Sequence, residues 1–235
     1  MHLIKRLVAT TSVAVLVISM SAVAMSESSF ARGTNASENS SSGGCVKTNA
    51  APHNPIKTAL PDAKVAQVDK VFTLNTNCGQ IVFKAFGKKA PLTVIAMSSL
   101  AKSGFFDHTL CHRLTTAGIY VLQCGDPTAS GSGGPKFQYQ NENMPPSTSG
   151  NYPAGTIAMA NSGLDSNGNG TNGSQFFIVY KDSTLVPPNY TIWGVVTKGL
   201  DIVKKVAAAG VLGGGTDGTP KQTIAIESVT VKQVG

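Results

Sequence analysis

Charged residues are scarce in this chain: 13% of its 235 residues are Asp, Glu, Lys or Arg, and aromatics make up 6% with a single tryptophan. No basic run occurs. Setting aside Lys5 and Arg6, 17 basic residues face 12 acidic ones, a net of +5 spread thinly along the chain. A dispersed charge with few stacking aromatics excludes a nucleic-acid surface and suits an acidic cell surface instead. There is no Gly-x-Ser-x-Gly elbow and no paired arrangement of acids, so nothing resembles a nucleophile with its base. No internal repeat is visible either. What the chain does have is 41% hydrophobic residues, ample for one core of about 150 to 180 residues plus appendages.

The appendages come first. Lys5 and Arg6 precede an apolar stretch from Leu7 to Ala24 that ends in the small-residue triplet Ala22-Val23-Ala24, the pattern of an export signal. An uncleaved membrane anchor is the competing reading, weakened by Thr10, Thr11, Ser12, Ser19 and Ser21. Residues 1–24 are thus expected to be a signal peptide or N-terminal anchor. From 25 to 66 the Ser/Asn/Gly-rich composition, as in Gly33-Thr34-Asn35-Ala36-Ser37, buries too little apolar area to offset chain entropy, so a flexible tether is expected. Residues 67–235 form the folded domain.

Within that domain the patterning is mostly strand-like. Val71–Thr76 and Ile81–Phe86 flank the turn Asn77-Cys78-Gly79-Gln80, which predicts a hairpin. A helix starts near Pro91, carries the apolar stripe Val94, Ile95, Met97, Leu100 and Ala101, and stops at Gly104. Further strands are expected at Leu110–Leu114, Tyr120–Cys124, Thr156–Ala160, Gln175–Tyr180, Thr191–Val196 and Thr223–Lys232, with a second helix from Leu200 to Ala209. About eight strands and two helices predict a mainly β fold, a closed eight-stranded antiparallel barrel capped by two α-helices.

Several motif matches fail on context. Gly168-Asn169-Gly170-Thr171-Asn172-Gly173 fits a dinucleotide fingerprint, but a strand follows it where a helix N-terminus would have to hold the pyrophosphate. Asp165-Ser166-Asn167-Gly168-Asn169-Gly170 imitates the start of a calcium loop whose twelfth position is Phe176 rather than glutamate. His108, Cys111 and His112 lack a fourth ligand, and strand alternation separates Cys111 from the two histidines. No metal is expected.

What remains is a set of polar residues beside apolar strands. A hairpin through Leu114–Ile119 brings Arg113 and Gln123 onto one surface, where Asn161, Gln175 and Phe177 can join them in a groove that is part hydrogen-bonding and part aromatic. The surrounding residues, Cys111-His112-Arg113, Leu122-Gln123-Cys124-Gly125-Asp126, Gly131-Ser132-Gly133-Gly134, Met159-Ala160-Asn161 and Asn172-Gly173-Ser174-Gln175-Phe176-Phe177, resemble the cyclophilin family of peptidyl-prolyl cis-trans isomerases. The resemblance runs from about Lys70 to Val231, and the run His112–Thr116 looks most like exported or membrane-tethered bacterial members. It implies a barrel with a substrate groove on its outer surface and no cofactor. By this resemblance Arg113 donates a hydrogen bond to the prolyl nitrogen as the amide twists, and Gln123 orients it. The backbone of Asn161 grips the peptide, while Ala160, Gly131 and Gln175 shape the neighbouring subsite. Tyr120 and Val121 would form one wall of the proline pocket and Phe177 its floor. In the far wall, where animal members carry tryptophan, leucine and histidine, stand Leu185-Val186-Pro187-Pro188-Asn189-Tyr190; either Leu185 or Val186 fills the leucine position, and Tyr190 replaces histidine. Weak cyclosporin binding is expected, because the tryptophan donor is missing and Trp193 lies beyond Tyr190.

The resemblance thus implies a monomeric isomerase acting on proline-containing segments of unfolded or exported proteins. The alternative is a binding module or chaperone of the same fold with incidental turnover. The four cysteines, 45, 78, 111 and 124, suit an oxidising compartment. If Arg113 and Gln123 face the groove, alternation puts Cys111 on the groove side and Cys124 on the other, so these two are not expected to be bonded to each other.

Overall fold

The computed structural model describes residues 44–62, 68–187 and 189–234. The expected leader and the tether up to residue 43 lie outside the described residues. β1 (Lys70–Thr76) and β2 (Gly79–Ala85) form the expected hairpin, with Phe72, Leu74, Ile81, Phe83 and Ala85 turned inward at every second position. α1 (Pro91–Lys102) has proline in its first turn and no side-chain cap of its own at Ala90. The distant Glu142 supplies the cap: its carboxylate accepts from the Leu92 and Thr93 N–H groups at 3.0 and 2.9 Å. There follow β3 (Thr109–Leu110), β4 (Arg113–Thr115), β5 (Val121–Cys124), β6 (Thr156–Met159), β7 (Phe176–Val179), β8 (Ile192–Lys198), α2 (Leu200–Ala209), β9 (Asp217–Gly218) and β10 (Ala225–Gln233).

Among the described residues the fold is mainly β, as expected, with two α-helices, but its sheet differs from an eight-stranded closed barrel. Ten strands among the described residues make one antiparallel sheet, curled and open in ladder order, running β3-β10-β1-β2-β8-β6-β7-β5-β4-β9. The stretch expected as one strand, Leu110–Leu114, breaks in its middle. The Cys111 N–H donates to Ile224 O beside β10, whereas the His112 N–H donates to Gln123 O on β5. One run of sequence therefore supplies two short strands near opposite ends of the sheet, and β9 adds a two-residue edge that the sequence patterning does not signal.

That break also corrects the cysteine expectation. Cys111 and Cys124 are bonded to each other, with Cα atoms 4.0 Å apart. Arg113 does lie opposite Gln123, and Cys124 does face inward, but alternation cannot be carried back through the break at Cys111, which also turns into the core. The other disulfide joins Cys45 to Cys78 in the β1–β2 turn. It anchors residues 44–62, which have neither strand nor helix yet are held to the domain. The Val46 N–H donates to Asn77 O at 2.9 Å, Asn77 Nδ2 donates to Val46 O at 2.8 Å, and the His53 N–H donates to Pro127 O at 2.9 Å. These residues fall in the stretch whose composition reads as tether.

Trp193 sits at the centre of the core with no exposed surface, ringed edge-on by Phe72, Phe83 and Phe176 at centroid distances of 5.3, 5.1 and 6.1 Å. Among the described residues no helix is long and apolar enough to cross a membrane.

Candidate functional site

Strand pairing builds the site as rows. Arg113 on β4 pairs with Gln123 on β5, Gln123 with Phe177 on β7, and Phe177 with Ala158 on β6, so these four side chains share one face. The adjacent row, Leu114, Leu122, Ile178 and Ile157, points the other way and is wholly buried in the main core. Val121 and Val179, two residues along, return to the first face. The result is a second apolar cluster of Val121, Tyr152, Ala158, Phe177 and Val179, with Ala160, Leu185 and Tyr190 packed around it. Phe177 meets Tyr190 edge-on at 5.6 Å and lies tilted against Tyr152 at 6.2 Å.

At the polar end of this face hydrogen bonds run in one direction. The carbonyl oxygens of Gly131 and Gly133 accept from Gln175 Nε2 at 3.0 and 2.9 Å. Gln175 Oε1 must then face the other way, and it accepts from Gln123 Nε2 at 2.8 Å. Gln123 Oε1 is left as acceptor for Arg113 Nη1 at 3.2 Å. Carbonyls at one end thus fix the polarity of both amides and present an acceptor to the guanidinium. The Gly131–Gly133 turn is itself held by Asp126, whose carboxylate accepts from the N–H groups of Thr128, Gly131 and Gly133 at 2.8, 2.7 and 3.1 Å. Burial alone would raise the Asp126 carboxyl, but these donors hold it below the ordinary aspartate range. A Cβ at Gly133 would collide with that carboxylate, and Gly131 adopts a φ of +82° that favours glycine.

A cavity of about 220 Å³ lies beside this network, lined among others by Gln123, Gly131, Ala160, Asn161 and Gln175. Side-chain demands at Asn161 are met internally, since Nδ2 donates to Asn189 O, Asn141 Oδ1 and Asn172 Oδ1 at 2.9, 3.2 and 3.2 Å. Its backbone is what it can offer a peptide.

The structure thus brings together Arg113, Gln123, Val121, Gly131, Ala160, Asn161, Gln175, Phe177, Leu185 and Tyr190. Leu185 packs on the apolar cluster while Val186 is 65% exposed, so Leu185 occupies the far wall. Tyr120 is the exception. Tyr120, just before β5, packs against the main core instead, 6.0 Å from the Tyr180 ring and under the Lys181 ammonium at 4.3 Å. Two groups escaped sequence reasoning. Tyr152, fully buried, donates its hydroxyl to Tyr190 O at 2.9 Å and accepts from the Tyr190 N–H at 3.2 Å, with burial pushing its phenol up to about 12. Asp217 on β9 accepts from Arg113 Nε and Nη2 at 2.7 Å each, across 104 positions of sequence. It lies in the glycine-rich stretch Gly210–Gly218, where no periodicity marks it. Of His108, Cys111 and His112, His108 pairs with Glu227 at 3.0 Å and Cys111 is in a disulfide; among the described residues no cluster of metal-ligating side chains occurs.

The family model described as cyclophilin type peptidyl-prolyl cis-trans isomerase/CLD matches residues 71–231. This chain belongs to the cyclophilin-type isomerase family. Among relatives, the protein named "Probable peptidyl-prolyl cis-trans isomerase B" of Mycobacterium tuberculosis is 43% identical over 197 residues, covering 76% of this chain and 62% of its own length. The namesake from Mycobacterium leprae is 44% identical over 168 residues, covering 67% of this chain and 55% of its own. The chain therefore spans somewhat under two thirds of these relatives. A crystal structure of a Cryptosporidium parvum cyclophilin is similar with a TM-score of 0.58 and 26% identity, covering 71% of this chain and 99% of that one. A second crystal structure of that cyclophilin, obtained in the presence of the dipeptide Ala-Pro, gives a TM-score of 0.56, 26% identity and coverages of 69% and 98%. The ten-stranded sheet with its two helices is the cyclophilin-like frame on which the Arg113–Gln123 row is carried.

Proposed function

We propose that this chain accelerates cis–trans rotation of X-Pro peptide bonds in exported or cell-surface proteins, and so assists their folding. Resonance stiffens the bond, with a barrier of about 20 kcal/mol, and an acceleration of about 10⁵ calls for about 7 kcal/mol of preferential transition-state binding. No bond breaks, so the demand is for a donor that meets the prolyl nitrogen only when its lone pair localises, and for an apolar seat that holds the ring. Arg113 is that donor, planar and permanently charged, and Phe177 with Val121, Leu185 and Tyr190 is the seat. The observation that carries this reading is the cross-strand row Arg113–Gln123–Phe177, which sets the guanidinium beside the apolar cluster. Export rests on the N-terminal sequence, which ends in Ala22-Val23-Ala24, and on the four disulfide-bonded cysteines. The protein acts as a monomer on extended proline-containing segments and without a cofactor. Cyclosporin should bind weakly, since Trp193 lies wholly within the core.

The test is NMR exchange on a short X-Pro peptide. Wild type should broaden the cis and trans resonances at catalytic concentration, and Arg113→Ala should abolish most of the enhancement. Exchange that is absent, or unaffected by the substitution, would leave the binding-module reading in place.

A further inference from the structure

Arg113 has five N–H donors, and the structure accounts for three of them. Asp217 takes the Nε proton and one Nη2 proton at 2.7 Å each, and Gln123 takes one Nη1 proton at 3.2 Å. Among the described residues one proton on each Nη is left over, and these are the donors available to a ligand. The two acceptors approach from different strands, Asp217 from β9 and Gln123 from β5, both hydrogen-bonded to β4 where Arg113 sits. The carboxylate grips the Nε side bidentately, which fixes the plane of the guanidinium, whereas Gln123 alone would leave it free to swing about its own long contact.

We propose that Asp217 is a positioning residue, holding the guanidinium plane of Arg113 so that its two free N–H groups point where a substrate's prolyl nitrogen lies. The inference rests on the isomerase reading above and adds to it the edge strand that makes Arg113 competent. Stability is not the purpose of such a pair. Arg113 and Asp217 are 41% and 52% exposed in their side chains, and exposed ion pairs contribute little to folding. Orientation is different, because catalysis by one hydrogen bond depends on where the donor points before the substrate arrives. The placement of Asp217 is specified by the backbone: Asp217 pairs with Thr115 and Gly218 with Leu114, while the Thr116 N–H donates to Thr216 O at 2.8 Å. Gly218 has a φ of +153°, and a Cβ there would crowd the Val211 side chain at 3.1 Å, so the turn that delivers Asp217 needs glycine at this point. A negative charge beside the guanidinium weakens its donors somewhat, yet Arg113 stays protonated with or without it.

The experiment compares wild type, Asp217→Asn and Asp217→Ala by kcat, KM and melting temperature, each also in an Arg113→Lys background, together with ¹⁵N relaxation of the Arg113 side-chain Nε–H. Asp217→Ala should lower kcat roughly 3- to 10-fold with KM changed less than about twofold, and Asp217→Asn should fall between. Melting should barely move, the Arg113 Nε–H should become more mobile, and in the Arg113→Lys background Asp217→Ala should have little further effect. An unchanged or raised kcat, an equal loss in the Arg113→Lys background, or an Nε–H that stays rigid in Asp217→Ala would overturn the proposal. If wild type itself gave no exchange on any X-Pro peptide, the isomerase reading would fail while the Nε–H relaxation would still decide whether Asp217 holds Arg113.

Discussion

His112 stands between a core cysteine and the groove arginine, and neither of its ring nitrogens has a hydrogen-bond partner among the described residues. Burial pushes its imidazole below the ordinary value of 6.5, Asp126 opposes the shift, and Arg113 adds to it. The unfolded chain therefore takes up this proton at a higher pH than the folded chain does, and acid favours unfolding. The contribution is complete above 6.5 and is lost as pH falls through the lower, folded value. Urea midpoints measured from about pH 7.5 down to about pH 5 should decline for wild type and decline less for His112→Phe, which removes the titration. Parallel curves would mean that His112 charges without cost. At the same scale, Arg113 and Gln123 were legible because a hairpin places opposite residues on one face, whatever the tertiary detail. Tyr120 differs for the converse reason: the match to a family position puts it in the groove, whereas the residue just before β5 packs on the main core. Tyr152 and Asp217 were invisible because each reaches the site from a loop or edge with no pattern of its own.

Strands and helices were largely legible wherever the pattern is local: the Asn77-Cys78 turn, the proline start and Gly104 stop of α1, and the Gly210 end of α2. The break between β3 and β4 was not, since Cys111 and His112 change partners according to chain more than a hundred residues downstream at Ile224 and nearby at Gln123. The disulfide Cys111–Cys124 locks that break, with one sulfur two residues before Arg113 and the other directly after Gln123. Its 13-residue separation corresponds to a closure worth about 3 kcal/mol in the chain-entropy account. The double variant Cys111→Ala/Cys124→Ala should lose about 2 to 3 kcal/mol of unfolding free energy in urea. It should also lose kcat/KM, because the β4–β5 register that aligns Arg113 with Gln123 is no longer clamped beside its weakest point. Full activity in a destabilised variant would show that backbone pairing alone keeps the row in place.

Across the whole molecule, the two disulfides divide the work between site and scaffold. Cys45–Cys78 ties residues 44–62 to the β1–β2 turn, and β1 and β2 supply none of the groove side chains. Composition could not foresee this docking, since a segment poor in apolar residues reads as tether unless a distant cysteine and a buried asparagine receive it. Asn77 is that asparagine: its Nδ2 donates to Val46 O and Thr223 O at 2.8 and 3.2 Å, and its Oδ1 accepts from the Ala225 N–H at 2.8 Å, joining the N-terminal segment to the start of β10. The cross-link closes 33 residues, a closure worth about 3.5 to 4 kcal/mol in the chain-entropy account, so Cys45→Ala/Cys78→Ala should cost about 3 to 4 kcal/mol. The same variant should keep kcat/KM within about twofold of wild type, since the Arg113–Gln123–Phe177 row is carried by β4, β5 and β7. Measured beside Cys111→Ala/Cys124→Ala, it gives two variants of comparable stability loss and opposite activity. If both lost activity alike, the groove would be responding to global stability, and the local clamp at Cys111 would have no separate role.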